Sequence, residues 1–336
     1  MGCARHLPGR APPARRRAGP RRGRGRAPAP GPRRLRCPSL VRGPACPPDR
    51  AADRHAPRHD RDSGPSRRPA PRAAKVTLDP GLTGHQDRPV PGIDNGFVAG
   101  YRVRFDEAGA TGQVQSSALL RYASDIAWRH SEELGFDRTW YAQQGRWWVV
   151  RAVELEVRQP VPMGRTLRVA TAVVGHRRIW ARRRGEFCLP DGTLAAVAVA
   201  DWVIVDDRGR LLRIPEDFGH AFPNPELEGE IIRVVLPSAP LDAARLVLHV
   251  RPQDVDPMGH VNNAVYLDWF EEAVVAAGAP EVTTTIPRRV ALEFAASAEP
   301  GDAVEAVAWR ADDGWWLRLT RQSDGADLVR GRLSRA

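Results

Sequence analysis

Asp254-Val255-Asp256-Pro257-Met258-Gly259-His260-Val261-Asn262-Asn263 runs directly into Ala264-Val265-Tyr266-Leu267-Asp268-Trp269-Phe270-Glu271-Glu272. The first ten residues hold two carboxylates, an imidazole and two carboxamides. Pro257 and Gly259 signal a turn, and an asparagine at 262 or 263 suits the N-cap of the helix that follows. The tip of such a helix carries free N–H groups and partial positive charge. A carboxylate beside that tip gives a base and a seat for a developing oxyanion. Hydrolysis of an activated acyl bond needs those two things and neither metal nor cofactor.

Outward from this stretch, the apolar pattern predicts a helix from about Asn263 to Ala277, stopped by Gly278 and Pro280. A strand from Leu246 to Arg251 precedes the loop. Strands follow at Val290 to Ala296, Val304 to Trp309, Trp315 to Thr320 and Leu328 to Leu333, separated by Pro/Asp/Gly turns. The same order occurs earlier in the chain. Phe97 to Phe105 reads as a strand. Ser116 to Leu134 reads as a helix with Leu119, Tyr122 and Ile126 on its apolar face, and Gly135 ends it. Strands at Trp147 to Val157, Leu167 to Val174, Ile179 to Leu189 and Leu194 to Val205 complete the unit. Gly112-Gln113-Val114-Gln115-Ser116 lines up with Gly259-His260-Val261-Asn262-Asn263, which points to duplication. In that alignment Asp256 falls on Gly109 and His260 on Gln113, so the first unit is expected to be catalytically silent.

Charge divides the chain. The protein has 336 residues and a net charge of +11. Residues 1–94 hold 22 basic and 7 acidic side chains, whereas the remainder holds 29 and 33. Residues 1–93 are rich in Arg, Pro, Ala and Gly without apolar periodicity, and read as a disordered tail. Fifty arginines against the single Lys75 suggest a GC-biased genome, in which translated upstream DNA looks like this; a start near Val76 or Val90 is one reading. Clustered arginines also suit phosphates, but no aromatic precedes Phe97 for base stacking, so a nucleic-acid partner is not expected. No run of 18 apolar residues exists to cross a membrane. Cys188 is the one cysteine outside the tail, which excludes a disulfide framework and a Cys-based metal site. The body reads as cytoplasmic.

The strand, long helix and antiparallel meander, present twice, resemble the hotdog fold, in which a sheet wraps a central helix. More narrowly, the chain resembles the acyl-acyl carrier protein thioesterases over residues 97–336. The match rests on Asp254 to Trp269, Leu292-Glu293-Phe294, Trp148 to Arg151, Gly164 to Leu167, Ala200 to Val205 and Arg210 to Glu216. The resemblance implies an α+β fold of two tandem hotdog units after a tail. The N-terminal unit spans 94–225 and lines the acyl pocket; a linker spans 226–243; the C-terminal unit spans 244–336 and carries the motif. Two departures stand out. Where the plant enzymes have an Asn two residues before the motif His, this chain has Met258. Where a Glu or Cys is proposed to act from the next strand, it has Ser297 and Ala298, so a Cys-His mechanism is ruled out.

The expected roles are then specific. Asp256 activates water or attacks directly. The backbone N–H of Asn263 is the oxyanion donor that the resemblance implies. His260 orients Asp256 or assists the leaving group, Asn262 caps the helix or holds the loop, and Gly259 lets backbone approach the acyl group. Tyr266 and Trp269 belong to the core, with contact to substrate as a second role, and Asp254 is a turn residue. The Arg177-Arg178 and Arg182-Arg183-Arg184 clusters read as solvated strand edges on which an acidic carrier protein could dock. The expected substrate is acyl carrier protein or CoA loaded with a fatty acyl group. No cofactor or metal is expected, and pairing of two chains into a homodimer is left open. A non-catalytic acyl-binding protein is the rival class.

Overall fold

Period-two apolar runs become the strands of one sheet in the computed structural model, which describes residues 77–78, 96–222 and 230–336. The tail reading lies outside the described residues, except at β1 (Thr77–Leu78). This two-residue strand pairs in parallel with Phe97 and Val98, an element the tail reading did not foresee.

The first half runs β2 (Phe97–Arg102), α1 (Ser116–Glu133), α2 (Arg138–Gln144), β3 (Arg146–Val157), β4 (Thr166–Arg177), β5 (Trp180–Cys188), β6 (Leu194–Asp206) and α3 (Glu216–Ala221). The second runs β7 (Ala244–His249), α4 (Asn263–Ala276), β8 (Arg288–Phe294), β9 (Ala303–Ala311), β10 (Gly314–Arg321) and β11 (Asp327–Arg335). The sheet order is β1-β2-β4-β5-β6-β3-β8-β11-β10-β9-β7. Read inward from each edge, β2-β4-β5-β6-β3 and β7-β9-β10-β11-β8 are one topology written twice. The halves join through β3 and β8, antiparallel from Ala152 opposite Glu293 to Val157 opposite Arg288. This is the α+β double hotdog that the resemblance implied.

Each long helix buries its apolar face against its own half of the sheet. Leu119, Tyr122 and Ile126 of α1 and Leu267, Phe270 and Val274 of α4 share one hydrophobic core. The two helices also meet directly, where Arg121 Nη2 lies 2.8 Å from Asp268 Oδ2. Helices α2 and α3 were not foreseen. Asp137 caps α2 by accepting from Trp140 N at 2.7 Å. Phe136, Tyr141, Phe218 and Phe222 then form a second, smaller core at that end.

Residues 230–240 of the expected linker run over the outer face of the sheet. Two buried carboxylates hold them: Ile232 N donates to Asp201 Oδ2 at 2.7 Å, and Val234 N to Glu293 Oε2 at 2.9 Å. One acceptor belongs to β6 and the other to β8, so the strap ties one half to the other. Val234 is buried there with Trp309 and Trp316.

Candidate active site

The loop before α4 is built by its own polar groups. Pro252–Asp254 forms a single 3-10 turn. Asp254 is buried and accepts from Arg251 N at 2.8 Å, and its carboxylate pairs with the Arg251 guanidinium. This confirms it as a turn residue. Asp256 N donates to His260 O and Gly259 N to Asp256 O, both at 2.9 Å. Gly259 sits at φ 83°, a conformation that glycine adopts without steric penalty, so its structural duty is the tight turn. Asn262 N donates to Asp254 O at 2.8 Å, which returns the chain to the helix start.

Asp256 is partly buried on this frame. One carboxylate oxygen accepts from Met258 N at 2.8 Å. Burial raises its pKa above the ordinary value, and the Met258 N–H and the charge of His260 pull back against that rise. A carboxylate with a raised pKa is a stronger base than one in water.

His260 and Ser297 meet, with Ser297 Oγ 3.2 Å from His260 Nδ1. Sequence reasoning had located this position and read it only as the absence of Glu or Cys. The segment is fixed from both sides. Ala298 N donates to the Tyr266 hydroxyl at 2.7 Å, and Arg321 Nη2 donates to Ser297 O at 2.8 Å. Tyr266 and Trp269 are buried, their rings edge-to-face at 5.3 Å. Tyr266 therefore braces the Ser297 segment from within the core.

Asn262 is the N-cap, its Oδ1 accepting from Ala264 N at 3.0 Å. Asn263 is the first helical residue. Its N–H has no intrahelical carbonyl to meet, and the turn and loop hydrogen bonds among the described residues leave it free. Asn263 also lines a cavity of about 30 Å³ in the first half. Leu120 and Ala123 of α1, Val150 and Val153 of β3, and Ala198 of β6 supply much of its apolar wall. It is thus a narrow apolar slit, with room for about two waters, and the helix tip of the second half opens onto it.

The arginine-cluster expectation needs correction. Arg177 and Arg178 are exposed, but Arg182 and Arg184 are paired with Asp201 and Glu186, and Arg183 is buried on the opposite face of β5. Strand alternation sends the middle arginine inward. No group of three or more His, Cys, Asp or Glu side chains among the described residues is arranged to hold a metal ion. No helix among them is long and apolar enough to cross a membrane.

Comparison with known proteins gives the same architecture. A family model described as acyl-ACP thioesterase N-terminal domain matches residues 94–222, and one described as acyl-ACP thioesterase C-terminal domain matches residues 239–331. The chain is similar to a putative oleoyl thioesterase from Lactobacillus plantarum, with TM-score 0.62 and 19% identity over 70% of this chain and 94% of that one. It is similar to a 12:0-ACP thioesterase from Umbellularia californica, with TM-score 0.61 and 19% identity over 71% and 96%. An acyl-ACP thioesterase from Bacteroides thetaiotaomicron gives 0.59 and 16% over 70% and 96%. Likeness at these identities is a likeness of fold. Among curated proteins none matches by sequence.

Proposed function

The chain belongs to the acyl-ACP thioesterase family, whose two domain models together span most of it, and from that premise we propose that it hydrolyses fatty acyl-acyl carrier protein to free acid and carrier thiol at the Asp256 loop, in the cytoplasm. The observation that carries this reading is the junction at Asn263. The same helix tip that stands seven residues after Asp256 opens onto the apolar cavity of the first half.

The chemistry follows from that junction. The slit as it stands holds only about two waters, so an acyl chain must part its walls to enter, and it then presents its thioester carbonyl to the tip of α4. The free N–H of Asn263 stabilises the oxyanion, an interaction worth roughly 10²–10³ in rate. Asp256 takes a proton from water as its oxygen attacks the carbonyl carbon. The tetrahedral intermediate collapses, the C–S bond breaks, and the thiolate leaves with that proton. Thiolate is a good leaving group, so a carboxylic acid suffices as its acid. His260, set by Ser297, positions Asp256 or the water. Asn262 and Gly259 hold the loop, and Tyr266 and Trp269 hold the helix and the Ser297 segment.

Acyl-CoA offers the same reacting atoms, so the carrier is decided outside the slit. The test is thiol release from purified protein given acyl carrier proteins and matched acyl-CoAs of graded length. Faster release from the carrier-protein series is the expected result. Equal or faster release from CoA would move the assignment to an acyl-CoA thioesterase. Tight binding without thiol release would move it to a non-catalytic acyl-binding protein.

A further inference from the structure

The three consecutive arginines of β5 face two ways. The outer pair is matched by carboxylates: Arg182 grips Asp201 through Nε at 2.7 Å and Nη2 at 2.8 Å, and Arg184 Nε meets Glu186 at 2.8 Å. Arg183 turns inward between sheet and α1 and is 9% exposed. Among the described residues it meets no carboxylate. Its Nη1 lies 3.0 Å from His130 Nδ1 and 3.4 Å from Thr171 Oγ1, and its Cζ stands 5.8 Å from the centre of the Phe222 ring. A guanidinium only donates, so His130 Nδ1 is the acceptor and the imidazole is neutral. Burial first, and then the Arg183 charge, push the His130 pKa down to about 3. Burial also lowers the pKa of Arg183, to about 10, which leaves it charged at neutral pH.

This charge lines the same cavity as Asn263. Trp202 lines it too, and its buried indole N–H has no acceptor. The slit therefore offers an unmatched cation and an unmatched donor inside a largely apolar wall. A buried charge without a counter-ion is strongly disfavoured, and a guest that brings acceptor oxygens relieves it. A plain hydrocarbon chain does the reverse, since it offers these groups no acceptor.

We propose that Arg183 reads the far end of the acyl chain, and that the preferred substrates are thioesters whose acyl group ends in an ω-carboxylate, the half-thioesters of dicarboxylic acids. The inference rests on the thioesterase reading above and adds the substrate class to it. The carboxylate pairs with the guanidinium and accepts from the Trp202 N–H, while the other end places its carbonyl at Asn263.

The full-length protein is to be assayed with chain-matched pairs on one carrier, such as octanoyl against suberoyl and hexanoyl against adipoyl. Wild type should favour the ω-carboxy member by at least about tenfold in kcat/KM, as expected when a buried polar site meets its partner. Arg183→Met should erase that preference. Arg183→Lys should keep part of it. A wild-type preference for the plain member at every length overturns the inference, and so does a preference for the ω-carboxy member that survives Arg183→Met. In both cases the thioesterase reading stands, because acyl thioesters are still cleaved. Should the methionine variant fail to fold, the wild-type ratio and the lysine variant decide. Failure to cleave any member of either series removes the thioesterase reading and the inference together.

Discussion

The two halves of the molecule share a loop down to its hydrogen bonds and differ in what hangs from it. Gly109 N donates to Gln113 O and Gly112 N to Gly109 O at 2.9 Å, the same two bonds that Asp256, His260 and Gly259 make at the same length. Gly112 and Gly259 take the same left-handed turn, at φ 71° and 83°. Glu107 occupies the place of Asp254, accepting the N–H of Arg104 as Asp254 accepts that of Arg251. The frame is the same although the side chains differ, because Gly109 and Gln113 stand where Asp256 and His260 do. The cores differ in the opposite sense. In α4, Phe270 fills the space over the sheet so closely that a Cβ on Gly331 would lie 2.8 Å from its ring. The matching position in α1 is Ala123, which lines the cavity. One step on, Glu271 pairs with buried Arg288 at 3.4 Å where α1 has Ser124, another cavity residue. One half carries a carboxylate and an imidazole on its loop and has a filled interior, and the other carries neither and has the cavity.

The largest effect should come from the carboxylate. Asp256→Asn is expected to lower kcat at least about 100-fold, the lower end of a general base's contribution, without changing the melting temperature. Gly109→Asn, whose new Cβ would meet only Gln115 Cγ at 3.8 Å, should change neither. Parallel rate and melting measurements on the two variants check this, and similar losses from both would end the distinction between a working and a silent loop.

Next in size is the imidazole. His260→Ala should cost at least about tenfold in kcat, and Gln113→Ala less than about twofold. The pH profile adds a sign. A base works as carboxylate, so activity is lost as pH falls through the Asp256 pKa. Burial raises that pKa and the charge of His260 lowers it. The acid limb should therefore sit above the ordinary carboxylate range, and should move to higher pH in His260→Ala. A limb that stays put, or moves down, would separate His260 from Asp256.

The open core yields a smaller, selective effect. Ala123→Phe imports the plug of the second half into the first. Turnover of the longest acyl substrates should drop about tenfold relative to the shortest, within the range that a methylene's worth of pocket commands, at a stability cost of about 1–3 kcal/mol. A uniform loss across chain lengths would mean that the acyl group lies elsewhere.

How much of this was legible in the sequence follows from the range of the forces. The long strands and helices were readable because each spans enough residues for its apolar period to show, as in Leu194–Asp206 or Ser116–Glu133. Helices of seven and six residues, Arg138–Gln144 and Glu216–Ala221, do not complete enough turns to reveal one. The Asp256 loop was readable because most of its chemistry is local: Arg251, Asp254, Met258, His260 and Asn262 are its near neighbours in the chain, whereas Ser297 and Ala298 reach it from a distant segment. The slit was not, because Ala123, Val150, Ala198 and Asn263 meet only after the halves assemble. Arg183 was misread although a signal existed. Applying strand alternation to Trp180-Ala181-Arg182-Arg183-Arg184 puts the middle arginine opposite its neighbours, and the outer two have carboxylates to match.

The smallest expected effect tests the symmetry itself. Arg121 and Asp268 are 147 residues apart, the same spacing that relates Gly112 to Gly259 and Gln113 to His260. They are therefore one helix position occupied twice, and the two copies bond to each other across the centre of the molecule. Their side chains are 41% and 37% exposed, so solvent screens the pair and a double-mutant cycle should give a coupling of about 0.2–1 kcal/mol. Because the positions are equivalent, exchanging the charges, Arg121→Asp with Asp268→Arg, should restore the coupling that either single reversal destroys. A coupling well above that range would mean that the ion pair, rather than the shared apolar core of α1 and α4, fixes how one half is presented to the other.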